Sequence, residues 1–226
     1  MHKISLSETM VERARRRRAG APPGSWDARK TAHIVIDLQN GFMDPGGPME
    51  IPTTREIVSD VNRISAAIRR AGGTNVFLRF LIDPGEAHSW DNYLERFLNP
   101  QDRQRLDGFK PGCHDFELYP DLDVADPDIV MEKTRFSAFI PGTCDLHDYL
   151  TKRGIDTLII TGTATNGCCE STARDAMQMN YRVIFVSDCN AAVTDGEHNT
   201  TLNNMVVNFA DVMTADEIID TFELSA

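Results

Sequence analysis

A carboxylate, an ammonium and a pair of thiols stand at separate places in this 226-residue sequence, each in a setting that suits reaction chemistry. Asp37 closes the apolar run of "VIDLQNGF", Lys133 that of "IVMEKTRFSAF", and Cys168-Cys169 follow a glycine in "IITGTATNGCCESTARDAM". A thiol becomes a nucleophile by losing its proton, so it needs a base and a positive charge nearby. An aspartate can take that proton and a lysine can hold the thiolate. Each residue also has a plainer role. An aspartate after a strand commonly forms a turn or caps a helix, a strand-end lysine is usually solvated, and a cysteine is often an inert small hydrophobe. The chemistry needs all of them at one place, and the residues alone do not separate Cys168 from Cys169.

The elements that must bring them together are legible as apolar runs. Strands are expected at Ala32–Asp37, Asn75–Leu81, Asp128–Glu132, Thr157–Thr161, Tyr181–Ser187 and Asp211–Met213. Helical spacing of Ile57, Val61, Ile64, Ala67 and Ile68 predicts a helix over Thr54–Ala71, ended by Gly72-Gly73. Further helices are expected at Leu146–Lys152, from near Cys168, within Gly196–Asn208 and at Ala215–Phe222. Continuous apolar strands alternating with helices predict an α/β fold: one doubly wound, mostly parallel six-stranded sheet with helices on both faces, in a Rossmann-like order. Ligands in such sheets bind beyond the carboxyl ends of the strands. Asp37, Lys133 and Cys168 are therefore delivered to the same edge, with Cys168 in a helix's first turn, where backbone N–H groups favour a thiolate.

The domain is expected over 25–226, with a helical extension at 1–24 and a long insertion at 83–127. That insertion is polar, carries Pro84, Pro100, Pro111 and Pro120, and holds Trp90 and Tyr93, so it reads as a lid or binding loop. In the extension, Ser5-Leu6-Ser7-Glu8 has the form of a capping box. Arg15–Arg18 is read as the solvated end of a helix rather than a nucleic-acid site. With an Ala21-Pro22-Pro23 hinge behind it and no obvious place on a doubly wound domain, this helix is expected at a subunit interface. Net charge is −11, which disfavours nucleic acid and anionic membranes as partners. The sequence shows no apolar run of membrane-spanning length, no secretory h-region, and an odd count of five scattered cysteines. A cytoplasmic protein with reduced thiols is expected.

The blocks "IDLQNGF", "EKTRFSAF" and "GTATNGCCEST" resemble those of the isochorismatase-like, or cysteine hydrolase, superfamily, in matching order from about Thr31 to the C-terminus. The "KTRFSAF" and "TATNGCCESTARD" blocks are most similar to its ureidoacrylate and biuret amidohydrolase branch. The resemblance implies a triad of Asp37, Lys133 and Cys168, the nucleophile standing six residues after Gly162. It implies a cis peptide at Thr163–Ala164 and an oxyanion hole made by the N–H groups of Ala164 and Cys168. It further implies hydrolysis of a small amide or ureide through a thioester, in a homodimer or homotetramer without cofactor.

Other readings are weaker. Isochorismate hydrolysis itself belongs to a branch that dispenses with the cysteine. A metal-assisted nicotinamidase places an Asp-x-His pair after the second strand, where this chain offers Asp83 and His88 without that spacing, so no metal is expected. Cys168-Cys169 as a redox pair would close a strained ring. Cys113-His114 and Cys144 with His147 lack a complete ligand set. A non-catalytic binding protein keeps the fold but leaves the filled triad positions unexplained. For substrate contacts the candidates are Gln39, Asn40 and Asn166 as amide partners, with Phe42, Phe136, Phe139 and Trp90 as apolar walls. Arg135 could face a substrate carboxylate or a surface glutamate, and the latter is favoured.

Overall fold

Residues with alternating destinations build the sheet. Ile34 and Ile36 point to one face while Val35 between them points to the other, and every residue of β1 (Thr31–Ile36) is buried. A computed structural model describes residues 1–17, 26–82 and 90–223. Arg18, the Ala21-Pro22-Pro23 hinge, Asp83, Pro84 and His88 lie outside them. The sheet has six strands, all parallel, in the order β3-β2-β1-β4-β5-β6. The other strands are β2 (Thr74–Phe80), β3 (Ile129–Lys133), β4 (Thr157–Thr163), β5 (Arg182–Ala191) and β6 (Asp211–Met213). This is the doubly wound α/β order, which reverses direction between β1 and β4 and leaves a crevice at their carboxyl ends.

The helices are α1 (Glu8–Arg17), the short α2 (Asn40–Met43), α3 (Thr54–Arg70), α4 (Pro100–Arg105), α5 (Leu146–Lys152), α6 (Glu170–Gln178), α7 (Asp195–Asn204) and α8 (Ala215–Glu223). Each face of the sheet has its own core. On one, Ile34, Ile36, Leu158 and Phe185 pack with Leu146 and Leu150 of α5 and Ala173 and Ala176 of α6. On the other, Val35, Phe77, Ile159 and Ile184 pack with Ile57, Val61, Ile64 and Ile68 of α3 and Ile218 and Phe222 of α8. The apolar stripe of α3 thus does what its spacing predicts.

Two segments depart from the sequence-based expectation. The N-terminal helix is seated on this chain's own domain. Ala14 is buried against Val206 and Val207, with Met10 alongside. Ahead of it the backbone is tied to α7: the Ser5 N–H donates to Asn199 Oδ1 at 2.6 Å, and the Ser7 N–H to Asn203 Oδ1 at 2.8 Å. The two asparagines lie on one stripe of α7, a receptor that no pattern within residues 1–24 reveals. The second departure is the insertion, whose described part is not loop throughout. It forms a π-helical turn at Asn92–Phe97 and α4, capped by Asn99, whose side chain accepts from Gln101 and Asp102 N–H. Leu106 and Phe109 anchor it to Phe80 in a satellite core.

Where β4 passes the end of β1, the chain needs a glycine. Gly162 has φ +123°, and a Cβ there would run into the backbone of Ile36. The β4–β5 register also shifts between Ile160 and Gly162. Close approach of the two backbones draws the residues after Gly162 towards the end of β1. Gly142, at φ +76° with open space around it, is a control. Urea unfolding should show Gly142→Ala losing about 1 kcal/mol, from backbone conformation alone, and Gly162→Ala losing more than about 2 kcal/mol.

Candidate active site

Asp37 is the first residue beyond β1 and adopts a left-handed φ of 54°. Its N–H donates to the Leu78 carbonyl of β2 at 3.0 Å, which fixes the turn. Lys133 ends β3, the edge strand, with β2 lying between it and β1. Neighbouring strands are about 4.8 Å apart, so the gap to β1 is roughly 10 Å, which calls for a long side chain. Its Nζ comes 2.8 Å from Asp37 Oδ2, and both side chains are completely buried. The ammonium lies 5.0 Å from the centre of the Phe80 ring and donates to the Arg135 carbonyl at 3.1 Å.

Cys168 comes from the other side of the crevice. The Thr163–Ala164 peptide is cis. The chain then makes a single π-helical turn, Thr165–Cys169, in which the N–H groups of Gly167 and Cys169 both donate to the Ala164 carbonyl. The sequence places Cys168 in the first turn of an α-helix; the structure places it in this wider turn, with α6 beginning at Glu170. The Cys168 thiol is electrostatically coupled to both Asp37 and the Lys133 ammonium. Cys169 is wholly buried in the core, whereas Cys168 keeps 7% of its surface exposed. The structure therefore distinguishes the two cysteines.

Electrostatics modify the expectation of a standing thiolate. Burial pushes the Cys168 thiol well above the ordinary cysteine range and the Asp37 charge adds to this, while Lys133 opposes. Burial also raises Asp37, against the pull of Lys133 and Cys168. Burial works against the charge of Lys133, but Asp37 and Cys168 more than compensate, and it is held above the usual lysine range. At rest the site is a buried ion pair coupled to a protonated thiol.

The substrate-contact candidates divide. Trp90 and Phe136 gather with Tyr93: Trp90 stacks on Tyr93 at 4.5 Å, and Phe136 meets both edge-on at 4.8 and 5.2 Å. Burial raises the Tyr93 phenol first, and the Cys168 charge adds to the shift. The Arg135 guanidinium lies over Trp90, and a groove of about 460 Å³ opens beside it. The remaining candidates make other contacts. Gln39 is buried with its amide spent on the backbone, donating to Phe80 O and Phe116 O and accepting from Phe80 N–H. Asn40 Nδ2 donates to the His114 carbonyl. Phe42 joins Phe109 in the satellite core, Phe139 packs on Tyr181, and Asn166 is exposed. Phe80, which the ammonium overlies, was not singled out from sequence, because a strand phenylalanine carries no signal beyond burial.

Asp83 and His88 lie outside the described residues. His114 pairs with Asp44 at 2.6 Å and His147 with Tyr181 at 2.9 Å. Among the described residues, no group of three or more His, Cys, Asp or Glu side chains is arranged to hold a metal ion.

Residues 31–217 match the family model of the isochorismatase domain. Ureidoacrylate amidohydrolase RutB of Pseudomonas savastanoi pv. phaseolicola is 30% identical over 210 residues, which cover 85% of this chain and 84% of that protein. A crystal structure of a cysteine hydrolase from Pseudomonas syringae pv. phaseolicola superposes with a TM-score of 0.80 at 29% identity, covering 92% of this chain and all of that one. The N-carbamoylsarcosine amidase of Thermoplasma acidophilum superposes with a TM-score of 0.67 at 25% identity, covering 82% and 96%.

The buried ion pair itself is testable. Lys133→Met strands the Asp37 charge and should cost about 3–5 kcal/mol in urea unfolding. Adding Asp37→Asn removes that charge and should return most of the loss.

Proposed function

The chain belongs to the isochorismatase family of hydrolases, and on that premise we propose that it is a cysteine-dependent amidohydrolase acting on a small amide or ureide. The observation that carries this reading is the buried Asp37–Lys133 pair, with the Cys168 thiol coupled to both charges. The relatives named for ureidoacrylate and N-carbamoylsarcosine support the amide or ureido carbonyl as the reacting group.

In the proposed cycle Asp37 takes the thiol proton as Cys168 Sγ attacks the carbonyl carbon. Lys133 stabilises the sulfur while its charge develops and keeps Asp37 oriented. The N–H groups of Ala164 and Cys168 receive the oxyanion. The C–N bond then breaks. Asp37 passes its proton to the departing ammonia or amine, leaving a thioester at Cys168. Asp37 next draws a proton from water, whose oxygen attacks the thioester, and the sulfur leaves and is reprotonated. Trp90, Tyr93 and Phe136 supply flat apolar surfaces beside the thiol, suited to a planar, conjugated amide or ureide.

Ammonia release should be measured over a panel of small ureides and primary amides. Cys168→Ala should abolish it, and Cys169→Ala should keep most of it; equal loss in both would reject Cys168 as sole nucleophile. Trp90→Ala should raise KM more than it lowers kcat. The pH profile follows from Asp37: the base must be ionised, and burial raises its pKa. Activity should therefore fall, as pH drops, along an acid limb lying above the ordinary carboxylate range, seen in kcat/KM against pH.

A further inference from the structure

The turn that carries Cys168 is braced at both ends by α7. At its start, Thr165 Oγ1 lies 2.9 Å from His198 Nδ1. At its end, Thr201 Oγ1 donates to Glu170 Oε2 at 2.5 Å. His198 and Thr201 are three residues apart and so share one helix face. The His198 ring is fully buried, and burial, with the neighbouring His2, lowers its pKa to about 4, so it is neutral. Its Nε2 lies 2.9 Å from the Ser187 carbonyl, which can only accept. The proton is therefore on Nε2, and Nδ1 accepts from the Thr165 hydroxyl.

A second imidazole lies flat on the first. The rings of His2 and His198 are 4.3 Å apart at an interplanar angle of 16°. His2 is fixed in the opposite tautomer: Nε2 accepts from the Ala192 N–H at 3.0 Å, and Nδ1 donates to Asp195 Oδ1 at 2.8 Å. It thereby joins the end of β5 to the first residue of α7, and its side chain is only 4% exposed. Around it, Asn199 Nδ2 donates to the Lys3 carbonyl at 2.9 Å.

We propose that His2 and His198 are positioning residues: the N-terminal segment, stacked through His2 on His198, fixes Thr165 and with it the turn that presents Cys168 and the Ala164 N–H. The proposal rests on the amidohydrolase reading for its kinetic part only. Neither imidazole is assigned a contact with substrate, and both act through Thr165.

The test combines His2→Ala, Thr165→Val and their double variant in the full chain. A readout independent of turnover is hydrogen exchange at the Gly167 and Cys169 amides, both bonded to the Ala164 carbonyl. Each single variant should lower kcat about tenfold with KM within about twofold. Exchange at those two amides should quicken while the amides of α3 and β2 keep their wild-type rates. The double variant should be no worse than the worse single one, since both cut the same link, and Thr165→Ser should retain wild-type kcat. Unchanged kcat and unchanged local exchange in His2→Ala would overturn the proposal, as would two single effects that multiply. If the wild type hydrolyses no member of the amide panel, the functional reading fails by itself, and the exchange data alone decide the link.

Discussion

Two opposite charges held 2.8 Å apart with no exposed surface are the constraint on which this structure turns. Taking either ion out of water costs several kcal/mol, and their attraction offsets that only if the geometry is held closely. Much of the surrounding architecture supplies that geometry. The left-handed turn at Asp37, its bond to β2, the Phe80 ring under the ammonium and the Arg135 carbonyl each limit where the pair can sit. A buried ion pair is weak evidence for stability. Its presence beside a thiol that needs a base is better explained by chemistry.

The same burial sets the tone of the reaction. A thiolate made permanent by a helix dipole would be open to any electrophile reaching the crevice. Here burial raises the proton affinities of thiol and carboxylate together, so the proton is held on sulfur. The π-helical turn, with two N–H groups donating to the Ala164 carbonyl, fixes the segment that carries the thiol.

The sheet was legible in the sequence because buried parallel strands read as unbroken apolar runs, and the candidate triad because its members end those runs or follow them. The motif blocks singled out Cys168 over Cys169, which position alone could not do. The shape of the turn was hidden: an α-helix and a π-helical turn leading into one have the same composition here. Polar candidates fared worst. Gln39 looks like a ligand for an amide substrate, yet its own amide is consumed by the Phe80 and Phe116 backbone. Nothing local marks that, since both partners are remote in sequence. The seat of the N-terminal helix was invisible for the same reason, the receptor stripe lying some two hundred positions away on α7.

Lys133 belongs to an edge strand, and edges are where native proteins open first. Among the described residues only β2 pairs with β3, whose outer residues Val130 and Glu132 are exposed. Fraying of that strand would withdraw the ammonium from Asp37 while β1, β4 and both cores stayed intact. Heat inactivation should therefore run ahead of global melting, and the enzyme's working temperature would be set by an edge strand rather than by its cores.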